Sequence, residues 1–147
     1  MKIKILIPIY NDWQSADKLI NKIDNLVKEI NHEFSLVIVN DGSSEIKPDG
    51  FGFSVNLNSV QILNIKKNMG HARCIATGLK HIFQNDEFDY VIPMDGDGED
   101  RPEEIKIFID NLSYNPDTTI VGERVKRSEG IIFKLSYSIH KLSLIHI

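Results

Sequence analysis

The sequence predicts an α/β fold in which a mostly parallel sheet is flanked by helices. Three observations lead to it. Continuous apolar runs, the mark of strands buried on both faces, alternate with stretches of helical period. Each run stops at polar, loop-forming residues. The strand–helix rhythm proceeds without internal repeats or low-complexity tracts, and 147 residues suit one core rather than two.

The first strand covers Lys2 to Tyr10, with an unbroken apolar run from Ile5 to Ile9. From Trp13 to Ile30, the residues Ala16, Leu19, Ile20, Ile23, Leu26, Val27 and Ile30 recur at helical spacing. Phe34 to Val39 is a second β-branched run, stopped by Asn40-Asp41-Gly42-Ser43-Ser44. Residues 45 to 59, rich in Gly, Asn and Ser, read as a surface loop, and Val60 to Ile65 as a third strand. A helix over Gly70 to Phe83 places Ala72, Ile75, Ala76, Leu79 and Phe83 on one side. Tyr90 to Met94 is a fourth strand and Asp95 to Arg101 a charged loop. Pro102 suits the first turn of a helix, and Glu103 and Glu104 complement its positive end. Thr118 to Val121 is expected as a short fifth strand.

Composition narrows the function. Seventeen basic against 21 acidic residues leave a net charge of −4, which argues against nucleic acid as a partner. Cys74 is the single cysteine, so a disulfide framework and a Cys-based zinc cluster are excluded and a reducing compartment is the simpler expectation. No stretch approaches the roughly 20 apolar residues of a membrane span. The start, Met1 to Asp12, has no small-residue cleavage site and reads as a strand rather than a signal peptide. A cytoplasmic protein is expected, with any membrane contact peripheral.

Ligands of open α/β sheets gather beyond the carboxyl ends of the strands. There this sequence places Asn11 and Asp12, Asn40 and Asp41, Asn68 and Gly70, then Asp95, Asp97 and Glu99, and finally Arg124. The sharpest run is Asp95-Gly96-Asp97-Gly98-Glu99-Asp100, where clustered carboxylates call for a hard divalent cation or stand as a merely solvated acidic loop. An EF-hand fails: Asp100 sits at its glycine, Lys106 at its bidentate glutamate, and a strand rather than a helix precedes it. Pro8 to Asp12 carries no glycine-rich dinucleotide fingerprint, and the chain has neither a phosphate-loop lysine motif nor a Gly-x-Ser-x-Gly elbow. His71, in a first helical turn, reads as a capping or surface group before a catalytic one. Cys74 reads as a small buried apolar residue.

Four motifs in order carry a resemblance: Ile7-Pro-Ile-Tyr-Asn-Asp12; Val39-Asn-Asp-Gly-Ser-Ser44; Asn68-Met-Gly-His-Ala72 running on to Ala76-Thr-Gly-Leu79; and Ile92-Pro-Met-Asp-Gly-Asp97 with Pro102-Glu-Glu-Ile105 behind it. Val121-Gly-Glu-Arg124, then Arg127 and Phe133-Lys134, add a basic fifth piece. Together they resemble the GT-A-type inverting glycosyltransferases of family 2, the group that includes dolichyl-phosphate mannose synthase and bacterial polyprenyl-phosphate glycosyltransferases.

The resemblance implies a Rossmann-like GT-A domain over residues 1–125 that binds a UDP- or GDP-sugar and a Mg²⁺ or Mn²⁺ ion. Pro8 and Asp12 would shape and line the nucleotide pocket, with Gly70 beside it, and Asp41 would accept a base N–H. Asp95 and Asp97 match the Asp-x-Asp pair, the first near ribose and metal, the second on the metal. Glu99 falls where the lipid-phosphate subgroup usually has glutamine and is a further candidate ligand. Arg124 would meet the donor diphosphate, so Asp95, Asp97 and Arg124 are the expected catalytic set. Gly96 and Gly98 replace bulkier residues of the family, which predicts a looser metal loop. The acceptor expected is a polyprenyl phosphate; transfer to a sugar hydroxyl of a surface polysaccharide, or an inactive nucleotide-sugar-binding fragment, are the alternatives. Residues 126–147 form a separate basic amphipathic segment in which Ile131, Leu135, Ile139, Leu142 and Ile145 recur at helical steps beside Lys126, Arg127, Lys134 and Lys141. It reads as the start of an acceptor or membrane-proximal part lying beyond the chain, a C-terminal truncation, or as an interfacial helix.

Overall fold

A computed structural model describes residues 1–114 and 119–122 of the chain. Four strands, β1 (Lys2–Ile9), β2 (Glu33–Asn40), β3 (Ser59–Asn64) and β4 (Tyr90–Pro93), form one sheet in the order β3-β2-β1-β4. Every pairing is parallel. Three helices accompany them: α1 (Trp13–Val27), α2 (His71–Asn85) and α3 (Glu104–Tyr114). The expected fifth strand is not found: residues 119–121 are irregular, and position 118 lies outside the described residues, as do Arg124 and the whole 126–147 segment.

The unbroken apolar runs of β1 and β2 are explained by burial on both faces. On one face Ile3, Ile5 and Ile7 stand opposite Phe34, Leu36 and Ile38. They pack with Ala16, Leu19, Ile20 and Ile23 of α1 and with Ile105 and Ile109 of α3. On the other face Leu6, Val37 and Val39 meet Cys74 and Ile82 of α2. A one-residue slip would exchange the two sets, so the register is fixed by both layers at once.

Helix α2 packs by a face the apolar spacing does not give. Cys74, Gly78 and Ile82 are buried and Ile75 half-buried, whereas Ala72, Ala76, Leu79 and Phe83 are exposed, Phe83 at 78%. The cause is Gly78. A Cβ there would lie 2.4 Å from Leu6 Cδ1 and 2.7 Å from Val39 Cγ2, so the helix rests on the sheet at its smallest residue.

The β2–β3 connection, residues 41–58, runs as a strap down α1. Phe51 stacks edge-on against Trp13 at 5.0 Å, and the Gly52 N–H donates to Asp17. Asp24 accepts from the Ser54 hydroxyl (2.6 Å) and from the N–H groups of Asn56 (2.8 Å) and Leu57 (3.2 Å). Partial burial pushes the Asp24 carboxyl up, but these donors, Ser54 first, outweigh it and hold the group below its ordinary value.

Candidate active site

A parallel sheet delivers all its carboxyl ends to one rim. The strand order makes β1 the switch point: the chain moves from β1 outward through β2 and β3, then returns to the other side of β1 as β4. Ligands of such sheets bind where the order reverses. Asp12, Asp41, Gly70, Asp95 and Asp97 all follow strand ends at this rim.

Pro8 lies one residue before the end of β1 without breaking the sheet. The last bond of the β4 ladder runs from the Met94 N–H to the Leu6 carbonyl, so the donor that Pro8 lacks faces a side on which pairing has stopped. Pro8 itself is buried. Asn11 then takes a left-handed conformation (φ 54°), which Asn tolerates better than most residues. Its Oδ1 accepts the N–H groups of Ser44 (2.8 Å) and Glu45 (3.0 Å), and its own N–H donates to Ser43 Oγ (2.9 Å). Asp12, half-buried, caps α1 by accepting the Ser15 N–H at 3.1 Å. The strand-end loops of β1 and β2 are thereby one unit.

Asp41 is 4% exposed, and each of its carboxylate oxygens accepts a backbone N–H: Met69 at 2.8 Å and Gly70 at 2.9 Å. Its two oxygens fix the entry to α2, and each keeps a lone pair for the base N–H that the resemblance implies. The neighbouring Gly42 (φ 71°) permits this approach, since a Cβ there would stand 2.6 Å from the Lys67 carbonyl carbon. Asn40 ties β2 to β3 through Asn64 (2.9 Å) and accepts the Ser43 N–H (3.0 Å). Beneath them Cys74 is fully buried, its thiol donating to the Val39 carbonyl. Burial first, then the Asp41 charge, pushes that thiol up to about 11.

The acidic loop after β4 is tight at one residue and open at another. A Cβ on Gly96 would lie 2.8 Å from the Pro8 carbonyl oxygen, so the loop seats directly on the end of β1, and the looser loop expected from glycine is not found there. Gly98 (φ 82°) has open space around it. The Asp95 N–H donates to Asp100 Oδ2 (2.8 Å) and the Glu99 N–H to Asp97 Oδ1 (2.9 Å). His71 Nε2 lies 3.4 Å from Asp95 Oδ1, a contact across 24 residues that no local pattern signals. Among the described residues no three His, Cys, Asp or Glu side chains gather into a ready-made cation cage. The donor chemistry still fits a hard ion, because Mg²⁺ commonly takes one or two carboxylates and completes its shell with phosphate oxygens and water.

At the opposite, amino-terminal rim an open hollow of about 370 Å³ is lined by Met1, Lys2, Glu33, Glu87, Phe88 and Asp89. The eight residues of β1, at about 3.3 Å each, separate it from the strand-end carboxylates, and its Lys2–Glu87 pair is an exposed surface contact. No helix among the described residues is long and apolar enough to cross a membrane.

The chain is similar to known proteins. The chain is 27% identical over 139 residues to an undecaprenyl-phosphate 4-deoxy-4-formamido-L-arabinose transferase of Proteus mirabilis, covering 93% of this chain and 41% of that protein. The enzyme of the same name from Pseudomonas savastanoi pv. phaseolicola is 35% identical over 107 residues, covering 70% of this chain and 30% of that protein. The chain thus spans less than half the length of the curated relatives it matches. S. aureus TarS 1-349, solved in complex with UDP-GlcNAc, superposes with a TM-score of 0.53 at 20% identity, over 87% of this chain and 38% of that one, which shows a shared GT-A fold. With the glycosyl transferase family 2 model matching residues 4–143, nearly end to end, the chain belongs to glycosyl transferase family 2.

Proposed function

We propose that this chain is the nucleotide-sugar-binding part of a glycosyltransferase that moves a sugar from a UDP-sugar to a polyprenyl phosphate with inversion. The observation that supports it most is the convergence of Asp12, Asp41, His71, Asp95 and Asp97 at the switch-point rim of a family 2 fold. The acceptor class follows from relatives named for undecaprenyl phosphate, and the donor base from a neighbour solved with UDP-GlcNAc. Uridine is preferred over guanosine on that ground.

The chemistry is a single displacement. An acceptor phosphate oxygen forms a bond to the anomeric carbon while the bond from that carbon to the β-phosphate oxygen breaks, and UDP leaves with the electron pair. The attacking oxygen is anionic at neutral pH, so little help from a base is needed. Mg²⁺ or Mn²⁺ held by Asp95 and Asp97, with Glu99 a further donor, would offset negative charge on the diphosphate. Pro8 and Asp12 bound the nucleotide pocket. Asp41 holds Gly70, and with it the first turn of α2, whose free N–H groups favour phosphate. Arg124 is assigned to the leaving diphosphate. Residues 1–125 make up the donor domain, and 126–147 serve as its link to an acceptor part or to the cytoplasmic face of a membrane.

Calorimetry with UDP and UDP-sugars, with and without Mn²⁺, tests this reading. Metal-enhanced UDP binding is expected, and its absence overturns the assignment. Transfer to undecaprenyl phosphate then separates a competent enzyme from a donor-binding part that needs the remaining length its relatives have.

A further inference from the structure

We infer that His71 is a positioning residue for Asp95, orienting its carboxylate toward the donor site. This rests on the donor-site reading above. Three fixed points converge on the pair. Asp41 holds both Met69 and Gly70, which pins the chain immediately before His71. Gly70 has a φ of 87°, a turn that favours glycine, and it makes His71 the first residue of α2. On the far side, Asp95 is pinned by its own N–H to Asp100 and by Gly96 seated on the Pro8 carbonyl.

Two backbones so restrained leave the side chains to meet, with His71 Nε2 at 3.4 Å from Asp95 Oδ1. The ring is 60% and the carboxylate 42% exposed, so the contact adds little to the stability of the fold. Its effect is on direction. A carboxylate with an imidazole beside one oxygen is restricted in the directions its other oxygen can take, and partners beside a metal ligand tune metal affinity by about 10–100-fold. An exposed pair belongs at the lower end of that range.

The test compares His71→Ala with His71→Gln, whose amide nitrogen reaches a similar position and can donate to Asp95. In calorimetry, His71→Ala is expected to lose about tenfold of the Mn²⁺-dependent gain in UDP affinity while keeping metal-free UDP affinity, with His71→Gln recovering most of the loss. Thermal unfolding should be alike in all three proteins. A second readout needs no ligand: the three-bond couplings that report the Asp95 χ1 rotamer should average in His71→Ala and be restored in His71→Gln. Unchanged Mn²⁺–UDP affinity and unchanged couplings in His71→Ala, or an equal loss in both variants, overturns the positioning role. If wild type binds no UDP, the donor-site reading fails by itself, and the coupling comparison still decides whether His71 orders the Asp95 side chain.

Discussion

The Asp41 carboxylate accepts the Gly70 N–H at 2.9 Å, across 29 residues, at the point where the chain turns into α2. With the Met69 N–H on its other oxygen, this buried group joins the end of β2 to the start of a helix that packs on β1 and β2. Replacing it with alanine removes two charge-assisted hydrogen bonds, each worth about 1.5–3 kcal/mol, although water can recover part of this at the exposed Met69 and Gly70. Asp41→Ala is therefore expected to lose about 2–3 kcal/mol in urea unfolding. UDP affinity should fall as well, because the first turn of α2 is released. Unchanged stability would mean that the carboxylate is replaceable by solvent.

Gly78 yields a prediction opposite in sign to helix propensity. Alanine in a helix interior is favoured over glycine by about 0.8–1 kcal/mol. Here its Cβ would meet Leu6 and Val39 at well under 3 Å. Overpacking of this kind costs about 1–3 kcal/mol, so Gly78→Ala is expected to be neutral to destabilising by about 2 kcal/mol. A raised melting temperature would show that α2 lifts off the sheet at no cost.

The same helix shows where the sequence was legible and where it was not. Strands β1 and β2 declare themselves, since residues buried on both faces must be apolar throughout, and the carboxylates that follow strand ends are visible as interruptions of those runs. The packed face of α2 is not legible in the same way. Hydrophobic periodicity counts large apolar residues and so selects Leu79 and Phe83, but the contact line is drawn by Cys74, Gly78 and Ile82, where smallness decides. The duties of Asp41 and His71 were hidden for another reason. Their partners lie 24 to 29 residues away, and nothing in a local pattern encodes which N–H or carboxylate a fold will bring beside them. Asp12 was placed in the pocket by resemblance, while its helix-capping bond to Ser15 follows from local chemistry.

Cys74 should be inert in the native state. Its thiol, pushed up to about 11 by burial and by the Asp41 charge, stays protonated at pH 8, and only the thiolate attacks. Labelling by a disulfide reagent is expected only through unfolding, with its rate rising in urea. Linkage fixes the sign of the pH effect. The folded value lies above the ordinary 9.0, so the contribution to stability is complete below 9.0 and is lost as pH rises through about 11. Cys74→Ala should flatten that alkaline loss. Rapid labelling at pH 8 without denaturant would contradict the buried placement.

Asp24 predicts the opposite limb. Its carboxyl lies below the ordinary 3.8, so its contribution is complete above 3.8 and is lost as pH falls through the lower, folded value. The group is half-buried at the surface, so solvent screens part of the effect, and the change should be local rather than global. Hydrogen exchange at the Val55, Asn56 and Leu57 amides is expected to lose protection on acidification ahead of β1 and β2. Asp24→Asn should expose the same three amides at neutral pH. Equal protection in the variant would mean that the strap is held by Phe51 against Trp13 alone.

Asp97 gives the sharpest separation between a metal site and a solvated acidic loop. Its Oδ1 accepts the Glu99 N–H, which shapes the loop, while Gly96 anchors that loop on β1. If the loop is only solvated, Asp97→Ala changes surface charge by one unit and leaves UDP affinity the same in Mn²⁺ and in chelator. If a divalent ion bridges the loop and the diphosphate, the variant loses a hard ligand and a charge together, and the Mn²⁺-dependent part of UDP binding should vanish while the metal-free part remains. Asp95→Ala is expected to weaken both parts, since the role proposed for Asp95 serves ribose as well as metal. Asp97→Asn adds a control for loop shape: its amide oxygen can still accept the Glu99 N–H, so a loss in Asp97→Asn as large as in Asp97→Ala assigns the effect to charge on the cation rather than to loop geometry. Wild-type Mn²⁺–UDP affinity in Asp97→Ala would remove Asp97 from the metal site.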